Sequence, residues 1–458
     1  MPMTTPPFIV VPLAACYHRA SYARPVMRNW AGNHTYRAAR VVRPRNLDEL
    51  RGVVAGATEL RVLGSRHSFN DIADTAGDLV SLEQMPRVVE IDSAARLVRI
   101  DGAVRYGELC ARLDSSGFAL DNLASLPHIT VAGSVATATH GTGYARAALS
   151  SAVRSIDFVR ADGEIDTLER GRSAEFDGSV VSVGALGVVV GLTLDIEPTY
   201  AARQVVYEHL PAAAFTAHFD DLVRTTDHVS FFTNWRTADF DQVWLKQRMD
   251  AGTTDLPRDL LGAPRANLAL HPIRELSAEA CTQQLGVPGP WHERIPHFRA
   301  DHTPSSGDEL QSEYFVGYPD AVAAYEALWK LAVDIAPLIQ ITEIRAIAED
   351  ALWLSPCYER ASAAFHFTWR SDWDGVRALL PRIEEALAPF AARAHWAKLF
   401  AMDSAQILGR YPRAPDFVAL ARSRDPRGKF ANDYLRRVLF GDPHKRMAGE
   451  EGFEPSIP

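Results

Sequence analysis

A histidine placed directly after a strand-ending glycine turn is the first residue in this chain equipped to do chemistry. In Val62-Leu63-Gly64-Ser65-Arg66-His67-Ser68-Phe69-Asn70-Asp71, Arg61 to Leu63 read as the end of a buried strand. Gly64 and Ser65 then break it into a tight turn. A turn free of bulky side chains presents successive backbone N–H groups to an anion, and His67 brings a nitrogen nucleophile beside them. A second stretch runs from Ala124-Ser125-Leu126-Pro127-His128-Ile129-Thr130 into small residues from Ala132 to Gly143. Small side chains let backbone approach a ligand closely, and hydroxyls add donors for phosphate oxygens. The same composition also suits a tightly packed loop under a sheet. No Gly-x-Gly-x-x-Gly opens a helix after a strand, which argues against a nicotinamide dehydrogenase. Ala132-Gly133-Ser134-Val135-Ala136 lacks the outer glycines of a hydrolase nucleophile elbow.

Further along, three segments read as strands whose alternation sorts side chains onto two faces. From Ile341, one face carries Glu343 and Arg345, and the other Thr342, Ile344 and Ala346. From Ala364, His366, Thr368 and Arg370 oppose Phe365, Phe367 and Trp369. From His395, Lys398 shares a face with Trp396 and Phe400. A half-exposed sheet with surface ion pairs explains this without any function. Polar groups between large apolar neighbours fit a partly buried pocket better.

These groups need a scaffold. Asn46 caps a helix through Leu47, Leu50 and Val53 that leads into the 61–63 strand. Val88 to Ile91 and Leu97 to Ile100 read as a hairpin, followed by a helix from Val104 to Leu113 that Gly117 ends. Val153 to Val159 and Glu164 to Leu168 form another hairpin across Asp162-Gly163, and Gly184 to Val190 run into a buried strand ending at Pro198. A second lobe, Tyr200 to Ala397, mixes strands (Val229 to Trp235, Gln242 to Lys246) with helices such as Ala321 to Leu331.

At 458 residues the chain is long enough for two domains. A hydrophobic fraction of 47% and a charged fraction of 23% suit a soluble globular enzyme, and a net charge of −9 argues against nucleic acid or an anionic membrane as partner. Cys16, Cys110, Cys281 and Cys357 have no metal or redox spacing and read as reduced thiols of a cytoplasmic protein. Leu13-Ala14-Ala15-Cys16 resembles a lipoprotein cleavage box, but Pro12 interrupts the short apolar run and no Lys or Arg precedes it. Residues 1–27 and 443–458 read as a disordered leader and tail, with Met27 the functional start.

Taken together, the motifs resemble the alditol oxidase group of the vanillyl-alcohol-oxidase-type flavoproteins, from about Asn29 to Leu439. The carriers are the two stretches above, Gly286-Val287-Pro288-Gly289-Pro290-Trp291-His292-Glu293-Arg294 and Leu310-Gln311-Ser312-Glu313-Tyr314. Glu343-Ile344-Arg345, His366-Phe367-Thr368-Trp369, His395-Trp396-Ala397-Lys398 and Asp425-Pro426-Arg427-Gly428-Lys429-Phe430 complete the set. The resemblance implies an α+β, two-domain flavoprotein. Its FAD-binding domain (28–198) would have two small α/β subdomains. A substrate-binding cap (199–398) with a large antiparallel sheet would follow, and 399–442 would return to the FAD domain.

By matching position, His67 would bond covalently to the FAD. Gly64, Ser65, Arg66, Ser68, Ser125, Thr130, Gly133, Thr137, Ala138, Thr139 and His140 would cradle the cofactor, with Val189 near the adenine and His395 near the flavin ring. The substrate set is Ser125, Glu343, Arg345, Thr368, His366 and Lys398. The implied reaction moves a hydride from the terminal carbinol of a polyol to flavin N5 and reduces O2 to hydrogen peroxide. Arg345 and Lys398 would stabilise alkoxide character, Glu343 would accept from hydroxyls, and His366 would take the proton because an ordinary histidine pKa suits that task. Tyr144 stands where the family pattern has a small aliphatic residue, placing a phenol at the expected pocket edge. A small-molecule polyol and O2 are the expected partners of a monomer. A sugar-1,4-lactone oxidase or dehydrogenase, and a non-catalytic carbohydrate-binding protein, are the alternatives.

Overall fold

The computed structural model describes residues 27–249, 253–302 and 308–441. Residues 1–26, Cys16 among them, and the tail from 443 lie outside the described residues. Asn46 accepts from the Glu49 N–H, caps the helix Leu47–Gly56 and sets the entry into the first sheet. That sheet is small and parallel: β1 (Arg40–Val42), β2 (Leu60–Leu63) and β3 (Asp78–Ser81) lie in the order β1-β3-β2. The expected hairpins are both present. β4 (Val89–Asp92) pairs with β5 (Leu97–Asp101), and β7 (Val153–Val159) with β8 (Ile165–Glu169). β9 (Val188–Asp195) joins them into an antiparallel sheet ordered β4-β5-β9-β7-β8, while β6 (Phe118–Ala119) pairs with β10 (Glu197–Pro198) beside it. Gly102 lets these layers close up, since a Cβ there would sit 2.3 Å from the Val189 carbonyl oxygen.

The largest sheet has eight strands, all paired antiparallel. They are β11 (Ala201–Leu210), β12 (His228–Thr233), β13 (Phe240–Met249), β16 (Gly289–Pro290), β17 (Glu309–Gly317), β18 (Ile339–Ile347), β19 (Ser362–Arg370) and β20 (Arg393–Ala394). Their order is β16-β11-β13-β12-β18-β19-β17-β20, and a short hairpin, β14 (Asp259–Leu260) with β15 (Ala263–Pro264), flanks it. One face is covered by the helices Ala212–Val223, Ala321–Trp329 and Trp373–Leu387. The last buries Val376, Leu379, Leu380, Ile383 and Leu387, each stabilising by roughly 1.5–3 kcal/mol relative to exposure. Phe365, Phe367 and Trp369 of β19 face these helices, as alternation requires, and Trp235 stacks on Phe367.

The chain end returns to the first sheet. Lys429 donates to the carbonyls of Val54, Ala55 and Ala161, and Asn432 to those of Asp71, Ile72 and Asp74. Arg61 is buried on β2 and spends its guanidinium on the carbonyls of Ile72, Val183, Gly184 and Phe430. It therefore locks three distant segments around the glycine turn. Among the described residues no helix is long and apolar enough to cross a membrane.

Candidate active site

A single cavity runs from the glycine turn to the open face of the large sheet, with about 2360 Å3 of empty space, its mouth included. One end is lined by Gly64, Ser65, Arg66, His67, Ser68, Thr130, Gly133, Thr137, Thr139 and Val189. The other end carries Ser125, Gln311, Glu313, Glu343, Arg345, His366, Thr368, His395 and Lys398, with His140 between.

At the first end the backbone does the work. Arg66 adopts φ 65°, a left-handed conformation that turns consecutive N–H groups to one side. Among the described residues, the N–H groups of Ser65, Arg66, His67 and Ser68 meet no acceptor. Arg66, Arg87 and Arg105 add positive charge along this end. Unpaired donors beside cations fit a diphosphate, so the residues present suit a dinucleotide such as FAD. The small-residue stretch opens as a short helix, Val131–Ala136, rather than a loop throughout, and it holds Gly133 on the cavity wall. Ala138 is buried at φ 53° and does not line the cavity.

The His67 ring stacks on Trp30 at 5.0 Å. Its pKa is pushed down to about 4, first by burial and then by the charges of His128, Arg105 and Arg66. The imidazole is therefore neutral at physiological pH, with a lone pair available.

At the second end the central group is Glu313 on β17, to which sequence patterning alone assigns no role. It accepts from Arg345 Nη2 at 2.6 Å, Lys398 Nζ at 2.8 Å and His140 Nε2 at 3.1 Å. Burial works to raise its pKa, but Lys398, His140 and Arg345 outweigh it and hold the carboxyl well below its usual range. Glu343 is likewise ionised: burial opposes this, but Arg345 and His297 overcome it. Two carboxylates therefore balance Arg345 and Lys398. Arg345 Nε is buried with no hydrogen-bond partner among the described residues, and Glu343 Oε2 lies 3.7 Å away. An unsatisfied donor beside an acceptor matches a hydroxyl, which needs both.

Three expectations change here. His366 does not keep an ordinary pKa; burial, then Lys398, lower it to about 4, while its Nε2 lies 3.1 Å from Gln311 Oε1. It is neutral, as a proton acceptor must be, but a weak base. Lys398 does not sit on a strand. His395 N–H donates to Glu313 O and Leu399 N–H to Gln311 O, so Trp396, Ala397 and Lys398 bulge out opposite Ser312 alone. Asn70 clamps that bulge, donating to the carbonyls of Trp396 and Lys398 at 2.8 Å each, and Phe69 N–H donates to Ala397 O. The strand end that bears His67 thereby also fixes Lys398. Tyr144 is no pocket-edge phenol: its ring packs on Tyr318 under Arg224, away from the cavity lining. Arg370 lines a neighbouring surface recess with Arg236 and Arg274. His395 Nδ1 accepts from Ala397 N–H, so Nε2 carries the proton, and burial keeps the ring neutral.

This architecture, two small sheets and a capping antiparallel sheet around one cavity, defines a vanillyl-alcohol-oxidase-type flavoprotein. Residues 38–169 match the FAD binding domain family, and residues 325–438 match D-arabinono-1,4-lactone oxidase. A cholesterol oxidase from B. sterolicum superposes with a TM-score of 0.74 at 13% identity, over 90% of this chain and 96% of that one. An alditol oxidase from a Streptomyces sp. strain is 47% identical, over 90% of this chain and 99% of its own length. An L-gulono-1,4-lactone dehydrogenase from Mycobacterium tuberculosis is 28% identical over 91% and 99%. The chain belongs to the alditol oxidase family of FAD-dependent oxidoreductases.

Proposed function

We propose that this enzyme oxidises the terminal primary alcohol of sugar alcohols of the xylitol, sorbitol or glycerol type to the aldehyde. FAD held covalently through His67 would be the hydride acceptor and O2 the final oxidant. The observation that carries the reading is the cavity itself. It joins a cradle of unpaired N–H groups at His67 to a balanced cluster of Glu313, Glu343, Arg345 and Lys398. When bound, FAD supplies the two-electron redox chemistry, and the protein orients the reactants.

The chain's own residues do the rest. Gly64 to Ser68, Thr130, Gly133, Thr137 and Thr139 would hold the cofactor's phosphates and ribityl chain, with Val189 and His395 toward its two ends. Ser125, Thr368, Glu343 and Arg345 meet the polyol hydroxyls; leaving such a group buried and unpaired costs about 1–3 kcal/mol. As the carbinol gives up its hydride, Lys398 and Arg345 stabilise negative charge on its oxygen. Neutral His366 receives the hydroxyl proton, and Glu343, whose Oε2 lies 3.8 Å from His366 Nδ1, stabilises the imidazolium so formed. The buried free thiols Cys110, Cys281 and Cys357 are consistent with a reducing cytoplasm.

The test is aerobic peroxide formation by the purified yellow protein with xylitol, sorbitol and glycerol against L-gulono-1,4-lactone. Peroxide from the polyols supports the reading. Turnover of the lactone alone would assign the protein to the lactone-oxidising relatives instead.

A further inference from the structure

Behind Glu343 lies a buried chain of groups that the reaction above does not use. Lys246 points from β13 toward the cavity side and is 1% exposed. Its Nζ donates to the Ile295 carbonyl and lies 2.8 Å from His297 Nδ1. His297 stacks on Trp244 at 5.1 Å and meets Phe232 edge-on, so the ring is held. Its Nε2 lies 3.0 Å from Glu343 Oε1.

With the His297 ring neutral, one proton arrangement satisfies every member. Ile295 O accepts only, so Lys246 must donate to it. Glu343 is ionised, so the imidazole nitrogen facing it must carry a hydrogen. With Nε2–H on Glu343 and the ring neutral, Nδ1 is the acceptor and Lys246 its donor. The remaining charged or titratable neighbours are Arg345, Cys281 and His228, which lies opposite Lys246 across the β12/β13 pair. Burial lowers Lys246 to about 7 and His297 to about 4, so a proton shared between them rests on the lysine.

We propose that Lys246 is a positioning residue: its hydrogen bond to Nδ1 acts together with the Glu343 carboxylate to hold the His297 tautomer that donates Nε2–H to Glu343 Oε1, leaving Glu343 Oε2 oriented for a substrate hydroxyl. This rests on Glu343 being a substrate acceptor, but the tautomer itself does not. Without Lys246 the imidazole can place its hydrogen on Nδ1, and a lone pair then faces the Glu343 carboxylate.

The test has two arms. In 15N-histidine-labelled protein without substrate, the His297 signals, assigned by their loss in His297→Gln, should show Nε2 protonated and Nδ1 bare. Lys246→Met should shift them toward the Nδ1–H form. Nδ1–H in the unsubstituted protein, or an unchanged tautomer in Lys246→Met, overturns the proposal. In steady state, Lys246→Met should raise the KM for xylitol roughly tenfold, as expected for a disturbed hydrogen bond to a charged group, with the flavin spectrum unchanged. A glutamine at 297 donates to Glu343 without any tautomer. In the His297→Gln background, Lys246→Met should therefore add little. An equal effect in both backgrounds would show that Lys246 acts by some other route and sink the proposal. Absence of polyol turnover in the unsubstituted enzyme would fail the functional reading alone, since the spectra still decide the tautomer.

Discussion

Replacing Lys398 with Met isolates one charge at the point where the proposed reaction develops negative charge. The Nζ sits 2.8 Å from Glu313 Oε2 with 14% of its side chain exposed, so it is held by its carboxylate and open to the cavity. Removing a cation from a buried pair usually costs about 3–5 kcal/mol because the partner is stranded. Here Glu313 keeps Arg345 at 2.6 Å and His140 at 3.1 Å, which should reduce that penalty and leave the fold and the cofactor end intact. The catalytic loss is of a different kind. A preorganised donor aimed at developing charge is worth about 2.7–4 kcal/mol, or roughly 10²–10³ in rate. The assay is anaerobic rapid mixing of the variant with xylitol, following bleaching of the flavin absorbance. Flavin content should match the unsubstituted protein while bleaching slows by that factor. A slowing of less than about threefold, below ~0.7 kcal/mol, would refute the assignment of Lys398 to charge stabilisation.

Other perturbations test other joints. His67→Ala should leave flavin that acid precipitation releases into the supernatant, whereas the unsubstituted protein should keep its colour in the pellet. Flavin retained by the pellet of the variant would reassign the attachment. Arg61→Met strands the carbonyls of Val183, Gly184 and Phe430, while Ile72 O keeps Asn432 as its donor. At about 1–3 kcal/mol for each buried unpaired group, the variant should lose several kcal/mol of stability, read by urea unfolding. Gly102→Ala forces a methyl against the Val189 carbonyl and should destabilise by about 1–3 kcal/mol. Acid should also weaken the fold through His297 and His366. Both fall on folding from an ordinary value near 6.5 to about 4, so the unfolded chain binds their protons more tightly. The stability they add is complete above pH ~6.5 and is lost as pH falls toward about 4, by at most ~3 kcal/mol each. Thermal midpoints should therefore drop across that window, and His297→Gln should flatten the slope.

Local rules read most of the scaffold correctly because they act within a few residues. Asn46 caps its helix, Gly117 closes the helix Tyr106–Ser115, and the hairpins at 89–101 and 153–169 form as alternation requires. The faces of β18 and β19 were also legible, since period-two patterning needs no partner to be known. Glu313 escaped for the opposite reason. Gln311 and Glu313 alternate with Leu310, Ser312 and Tyr314 along β17, but a carboxylate on a buried strand means little until its three donors arrive from β18, the 396–398 bulge and the 139–143 segment. The bulge itself was read as a strand because its composition is strand-like. What turns it is Asn70, more than three hundred residues earlier, together with the pairing of His395 and Leu399 to β17. Tyr144 was misplaced through a neighbour effect: Gly143 does pair with Ile347 beside the site, but the next side chain points to Tyr318.

The balance of charge at the substrate end bears on selectivity. Burying Glu313, Glu343, Arg345 and Lys398 together is expensive unless every lone pair and proton is used, and a well-packed apolar cluster would have been at least as stable. Arg345 Nε is nevertheless left without a hydrogen-bond partner among the described residues. A site with an unused buried donor beside ionised acceptors gains most from a ligand that is hydroxyl at every carbon. It should reject an analogue lacking one contacted hydroxyl far more strongly than one that merely gains or loses a methylene. Hydrogen-bonding sites discriminate by up to ~10⁴–10⁵, whereas a methylene in an apolar pocket changes the rate by about 10–200-fold. Deoxy analogues of xylitol therefore read this geometry directly: kcat/KM should collapse at the carbon that faces Arg345 and Glu343. A uniform, shallow decline at every position would mean that the cluster holds no hydroxyl at all.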